Sequence, residues 1–101
     1  MIMKQEILDK WIARLRDPSA KKARGQLWNK SGMCCLGHLG DVCGLSKSDM
    51  SNGNGESMLH LDMAFLQKVE LPTSLSTELA DLNDTKAGFP IDEIIKLVPT
   101  D

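Results

Sequence analysis

The stretch NKSGMCCLGHLGDVCG, residues 29–44, decides how the chain is read, because it places three cysteines and a histidine within ten positions. Cys34, Cys35, His38 and Cys43 are either a metal or thiol site or the packing residues of a buried helix. Thiolates and imidazole are the usual tetrahedral zinc ligands, so the residue types fit a metal. Their spacing does not, since structural zinc sites draw on two ligand pairs brought together by a fold, and this cluster has no partner knuckle. On one helix Cys35 and Cys43 would stand more than two turns, about 12 Å, apart along the axis. A catalytic arrangement would make Cys34 or Cys35 the nucleophile and His38 its base, since a Cys and a His three apart share a helix face. Met33, Leu36 and Leu39 surround the pair, however, and thiols in apolar surroundings have raised pKa values and are inert. Free cysteine commonly packs as a small hydrophobe, so the cluster is expected to be core.

Outward from there, Cys35, Leu36, Leu39, Val42 and Cys43 recur at helical spacing, which predicts a buried helix opened by the second cysteine and ending near Gly44. Gly37 and Gly40 inside it each cost about 1 kcal/mol against alanine, so their small size must admit a close neighbour, most simply another backbone. Just before it, QLWNKSGMCCL shows two short apolar runs around the turn formers Asn29, Lys30, Ser31 and Gly32, the pattern of a small hairpin. Further upstream, Ile7, Leu8, Trp11, Ile12 and Leu15 make one face of an amphipathic helix that stops by Asp17, ahead of Pro18. Ser19 is then placed to cap a short turn through AKKAR, with Gly25 as its punctuation.

Downstream, SKSDMSNGNGES is a loop, and residues 46–57 are expected to be mobile. MLHL is short enough for a strand, and Asp62 is placed to cap a helix through MAFLQKV. Pro72 with Thr73 or Ser74 opens another helix carrying Leu75, Leu79 and Leu82, and it ends at NDTKAG. A last helix begins at Pro90, with Asp92 and Glu93 in its first turn and Ile91, Ile94, Ile95 and Val98 as its buried stripe. The expected fold is a single α+β domain over residues 1–101, mainly α, with about four helices and a short hairpin.

Length and an apolar fraction of 42% fit one ordinary globular domain. No run of residues is apolar enough to span a bilayer, and MIMKQEILDK has charges where a signal peptide needs an apolar stretch, so a cytoplasmic protein with no membrane partner is expected. An odd cysteine count with two adjacent residues fits reduced thiols better than a disulfide framework. The net charge of −2 is unevenly spread: residues 1–30 carry eight Lys or Arg against three acids, and residues 31–101 carry four against eleven. Within the basic part, Arg14, Arg16, Lys21, Lys22, Arg24 and Trp28 have the chemistry to hold phosphates and stack on a base, or to dock on an acidic protein patch. A solvated basic face with both tryptophans in the core, matched internally to the acidic half, is the alternative. Asp81, Asp84, Asp92 and Glu93 offer the converse, mimicry of nucleic acid, without a dense acidic run.

Trp11, Leu27 and Gly32, then CCLGHLGDVCG, and later LADLNDTKAGFPIDEII, form an ordered pattern. It resembles a family of small uncharacterised proteins encoded by bacteriophages and prophages, with matching positions Cys34, Cys35, Leu36, Gly37, Leu39, Asp41, Leu82, Asn83, Asp84, Phe89 and Ile94. His38 stands where that pattern has valine and Gly40 where it has a third cysteine, so the histidine is no part of the pattern. The resemblance assigns no activity. It implies a viral accessory protein in a bacterial cytoplasm, and small phage proteins of this kind resemble inhibitors of host defence such as anti-CRISPR proteins. The expected function is accordingly non-catalytic binding, without cofactor, to a host protein or ribonucleoprotein complex that serves defence. A sponge for a nucleotide signal, using the basic and aromatic residues, is the alternative, and a small zinc or thiol protein is the third.

Overall fold

A computed structural model describes residues 2–101; the expected domain begins at Met1, which lies outside the described residues. Five helices and one hairpin follow in the order α1 (Gln5–Arg16), β1 (Trp28–Asn29), β2 (Gly32–Met33), α2 (Cys35–Val42), α3 (Met63–Val69), α4 (Thr73–Thr85) and α5 (Ile91–Leu97). The class is thus mainly α with a small β element, with five helices where about four were expected. No helix among the described residues is long and apolar enough to cross a membrane.

α1 buries Leu8, Trp11, Ile12 and Leu15, the stripe its spacing predicts, and Asp17 leaves helical geometry ahead of Pro18. Its N-terminus is closed from the far end of the chain. Met3 N–H donates to the Pro99 carbonyl at 2.9 Å, Asp101 N–H returns to the Met3 carbonyl at 3.1 Å, and the Asp101 carboxylate accepts from Gln5 N–H at 2.8 Å. Lys4, at the N-cap, has no capping oxygen of its own, so Asp101 supplies one for it.

The predicted helical turn through AKKAR does not form. Met33 N–H donates to the Lys21 carbonyl and Ala23 N–H to the Met33 carbonyl, both at 3.0 Å, so residues 21–23 run extended beside β2. Gly32 permits this approach: its φ of 151° and the absence of a Cβ let the Lys21 backbone sit where a side chain would stand. The hairpin itself forms as expected, pairing Trp28 with Met33 and Asn29 with Gly32, while Asn29 Oδ1 accepts from Ser31 and Gly32 N–H to close the turn.

α2 lies at the centre, with every residue from Cys35 to Gly40 buried. Gly37 packs directly on the Leu27 carbonyl, the backbone approach expected of it, whereas Gly40 faces the Met50 side chain. Cys43 departs from the expected buried stripe and is exposed at the helix C-cap. Residues 46–57 hold two turns and an antiparallel bridge between Ser51 and Ser57, and they bury Met50 in the core. MLHL is not a strand. α3 spans the expected residues, but Asp62 caps through its backbone carbonyl, which accepts from Leu66, not through its side chain.

α4 turns Ser76, Leu79 and Asn83 inward, with Leu75 and Leu82 only half-buried at the margins. In α5 Ile94 is fully buried and Val98 nearly so, but Ile95, expected in the stripe, is exposed, and Pro90 is the N-cap residue instead of the first helical one. One cluster joins these faces into a core that includes Trp11, Leu27, Leu36, Leu39, Leu79 and Ile94.

Candidate functional site

The cysteine pair is core. Cys34 caps α2, its sulfur accepting from Gly37 N–H at 3.3 Å, and burial pushes its thiol pKa up. Cys35 has no exposed surface and is held three ways: its carbonyl accepts from Trp11 Nε1 at 2.7 Å, its N–H donates to Asn83 Oδ1 at 3.0 Å, and its thiol lies 3.7 Å from the Leu79 carbonyl. Burial drives that thiol far above its ordinary range, so it carries no thiolate at neutral pH. His38 Nε2 is 2.8 Å from the Lys21 carbonyl. A carbonyl only accepts, so the proton is assigned to Nε2, which leaves Nδ1 buried and without a partner. The ring stands edge-on to Phe89, and burial holds its pKa below the usual 6.5. Cys43 sits at the opposite end of α2. Among the described residues no three His, Cys, Asp or Glu side chains converge as a metal site would need.

The basic residues singled out in the sequence are distributed over three places. Arg14 ion-pairs with Asp41 across the α1–α2 contact. Lys22 donates to the Lys86 and Gly88 carbonyls at 2.6 Å each, and Arg24 reaches the Lys86 carbonyl at 3.2 Å. Both cations therefore sit at the C-terminus of α4, where unsatisfied carbonyls and the helix dipole favour positive charge, and they work as internal staples. Arg16 is exposed beside Leu8, Ile12 and Ile95. Trp28 is half-buried, its indole N–H 3.3 Å from the Met50 carbonyl, with Lys47 Nζ 5.3 Å from the ring centroid.

Arg14 and Lys21 nevertheless come together in a polar cleft of about 410 Å³, between the end of α1, residues 17–21, the hairpin and α2. Lys47 and His38 also line it, as do Asp41 and Asp17, whose carboxylate is held low by hydrogen bonds from the Ser19 N–H and hydroxyl. Through Arg14, Asp17 and Asp41 the cleft continues into a groove that Lys10 and Val42 share with a third depression. The result is a trough along the α1–α2 seam, lined by Lys4, Lys10, Arg14, Lys21, Lys47 and Lys68 against only Asp17, Asp41 and Glu70. On a chain of net charge −2 this is a local reversal of sign.

A family model described as a domain of unknown function, DUF8296, matches residues 3–86. The chain belongs to this family. No curated protein and no solved structure matches it. The DUF8296 span contains α1 to α4 and every residue lining the trough, and it leaves α5 outside.

Sequence reasoning missed Lys4, Lys10, Lys47 and Lys68 as members of this DUF8296 surface. Lys10 and Arg14, four apart on α1, carried the available signal, since that spacing puts two cations on one helix face. Lys4 stands at the N-cap of the same helix, and Lys47 and Lys68 are brought in by chain segments distant in sequence.

Proposed function

We propose that the protein is a non-catalytic binding protein whose trough, above all the Arg14–Lys21–Lys47 cleft, docks on an acidic surface of a bacterial defence complex and thereby blocks it. The observation that carries this is the concentration of cations along one seam of a net-negative chain. Such a patch steers association with an acidic protein face or a nucleic-acid-bearing complex, and the attraction weakens with salt. The inward-turned Cys34 and Cys35 fit a molecule that works by contact instead of thiol chemistry. The choice of a defence complex as partner is supported only by context, the resemblance to phage-encoded proteins at Cys34, Cys35, Leu36, Gly37, Leu39, Asp41, Leu82, Asn83, Asp84, Phe89 and Ile94.

The test is plaque formation by a targeted phage on cells with an active interference complex. Expression of the protein should restore plaques, and the Lys21→Glu, Lys47→Glu double variant should not, with circular dichroism confirming that both are folded. Equal protection by the two proteins, or none by either across a panel of defence systems, overturns the proposal. The nucleotide-sponge alternative is favoured by one feature: Lys47 both lines the cleft and covers the Trp28 ring, so cation and aromatic stand side by side. A native mass spectrum separates the two, since a sponge would carry nucleotide mass and a protein inhibitor would fly bare.

A further inference from the structure

At the α3 end of the trough the lining changes character. A pocket of about 450 Å³, a size typical of small-molecule sites, lies between the first half of α1, the end of α2 and α3. Ile7, Val42, Phe65 and Val69 provide apolar surface, and Lys4, Lys10 and Lys68 are exposed on its margin. Among the described residues none of the three lysines has a carboxylate partner, and Glu70 is the only acid lining the pocket. Cys43 lines the same space together with Lys10 and Lys68, and partial burial pushes its thiol pKa up despite those two charges.

An apolar floor edged by unpaired cations is complementary to a molecule with one hydrocarbon part and one anionic part. A wholly polar anion would leave the floor wet, and a neutral hydrocarbon would leave the ammonium groups unused. We infer that this pocket binds a small amphipathic anion, a carboxylate or phosphate monoester whose head lies among Lys4, Lys10 and Lys68 and whose hydrocarbon tail covers Ile7, Val42, Phe65 and Val69. This pocket forms the other end of the same trough but shares no residue with the Arg14–Lys21–Lys47 cleft, so its ligand is tested apart from the acidic partner proposed there.

Cys43 is a built-in reporter, because the other two cysteines are buried. The experiment follows iodoacetamide labelling of Cys43 by intact mass in the presence of decanoate, decyl phosphate, decanol or butyrate, each below any aggregation threshold. Decanoate or decyl phosphate, whichever head the lysines prefer, should slow labelling at low concentration, with decanol and butyrate both much weaker. The Lys10→Gln, Lys68→Gln variant changes only exposed side chains and should keep its unfolding midpoint. It should lose about tenfold in affinity for the anion, with no change for decanol, as expected for a lost charge-assisted contact. Equal protection by decanol and decanoate would reduce the pocket to a greasy surface and overturn the inference, as would no protection by either anion. Slow labelling without any ligand, together with a dimer in sedimentation, would mean that a second copy covers the pocket and would overturn it as well.

Discussion

Gly37→Ala tests the central packing of the molecule. A Cβ built on Gly37 would lie 2.2 Å from the Leu27 carbonyl oxygen, 3.1 Å from its carbon and 3.1 Å from Met33 Cβ. The obstacle is backbone, and it is pinned on both sides: the Leu27 carbonyl accepts from Cys34 N–H at 3.0 Å and Leu27 N–H donates to the Met58 carbonyl at 2.9 Å. Admitting the methyl requires the two segments to part by about 1 Å, at an overpacking cost of about 1–3 kcal/mol. Loss of the buried Cys34–Leu27 hydrogen bond adds about 1–3 kcal/mol. The gain in helix propensity returns about 1 kcal/mol. The net loss should be about 1–5 kcal/mol, a lowering of the urea midpoint by roughly 0.5–2.5 M at a slope of about 2 kcal/mol/M. Unfolding can be followed by the fluorescence of buried Trp11. Gly40→Ala meets side-chain atoms alone, the Met50 sulfur at 2.9 Å, Leu45 Cδ1 at 3.2 Å and Leu61 Cδ2 at 3.4 Å, which can move where backbone cannot, and it should cost less, about 1 kcal/mol. Gly53→Ala meets nothing within 4 Å and should be neutral within about 0.5 kcal/mol. If Gly37→Ala is as stable as Gly53→Ala, the close approach of α2 to the Leu27 backbone is refuted.

Asn83→Ala removes the acceptor of Cys35 N–H and the donor to the Ala23 carbonyl, both buried contacts, and should lower Tm by roughly 10–20 °C in calorimetry. His38 is buried with its pKa depressed, chiefly by burial, so the unfolded chain takes up its proton more readily than the folded one. Stability is therefore full above pH 6.5 and falls as the pH drops toward the folded pKa. His38→Val should flatten that slope in denaturation series at pH 7.5 to 5 while leaving the Lys21 carbonyl bonded to Met33 N–H. Glu70 ends α3 with a φ of 59°, a left-handed conformation that strains a residue with a Cβ, and Glu70→Gly should raise stability by about 1 kcal/mol in urea titration.

Local signals carried most of the helices. α1 was legible from Ile7, Leu8, Trp11, Ile12 and Leu15 with Pro18 as its stop, and the hairpin from Asn29 to Gly32, because each signal acts within a few residues of itself. The segment 20–24 was not, since a helical turn there loses to hydrogen bonds with Met33 and to the Lys22 contacts with Lys86 and Gly88, partners no local pattern announces. α4 misled for a related reason: its leucines mark one stripe, but Asn83 is buried because its amide satisfies backbone groups of Cys35 and Ala23, 48 and 60 residues away. Asn83 therefore resembled a turn former. The candidate site was half legible in the same sense. Arg14 and Lys21 were found by charge alone, but that Lys22 and Arg24 are spent on α4 while Lys4, Lys47 and Lys68 join the trough is settled by tertiary packing.

The clasp between the two ends of the chain also sets an order of events. Translation delivers α1 before α2 to α5, but the carboxylate that closes its N-terminus belongs to a residue 96 positions later than Gln5. While the rest is being made, α1 holds open amide groups and an apolar face whose main contact, α2, emerges only after the hairpin. Of these five helices the earliest made is thus completed last, and a nascent chain stalled before α5 would present that unfinished face to chaperones and proteases. The family match, residues 3–86, includes Met3 but neither Pro99 nor Asp101, so this late closure lies outside the span by which the chain is recognised as a relative.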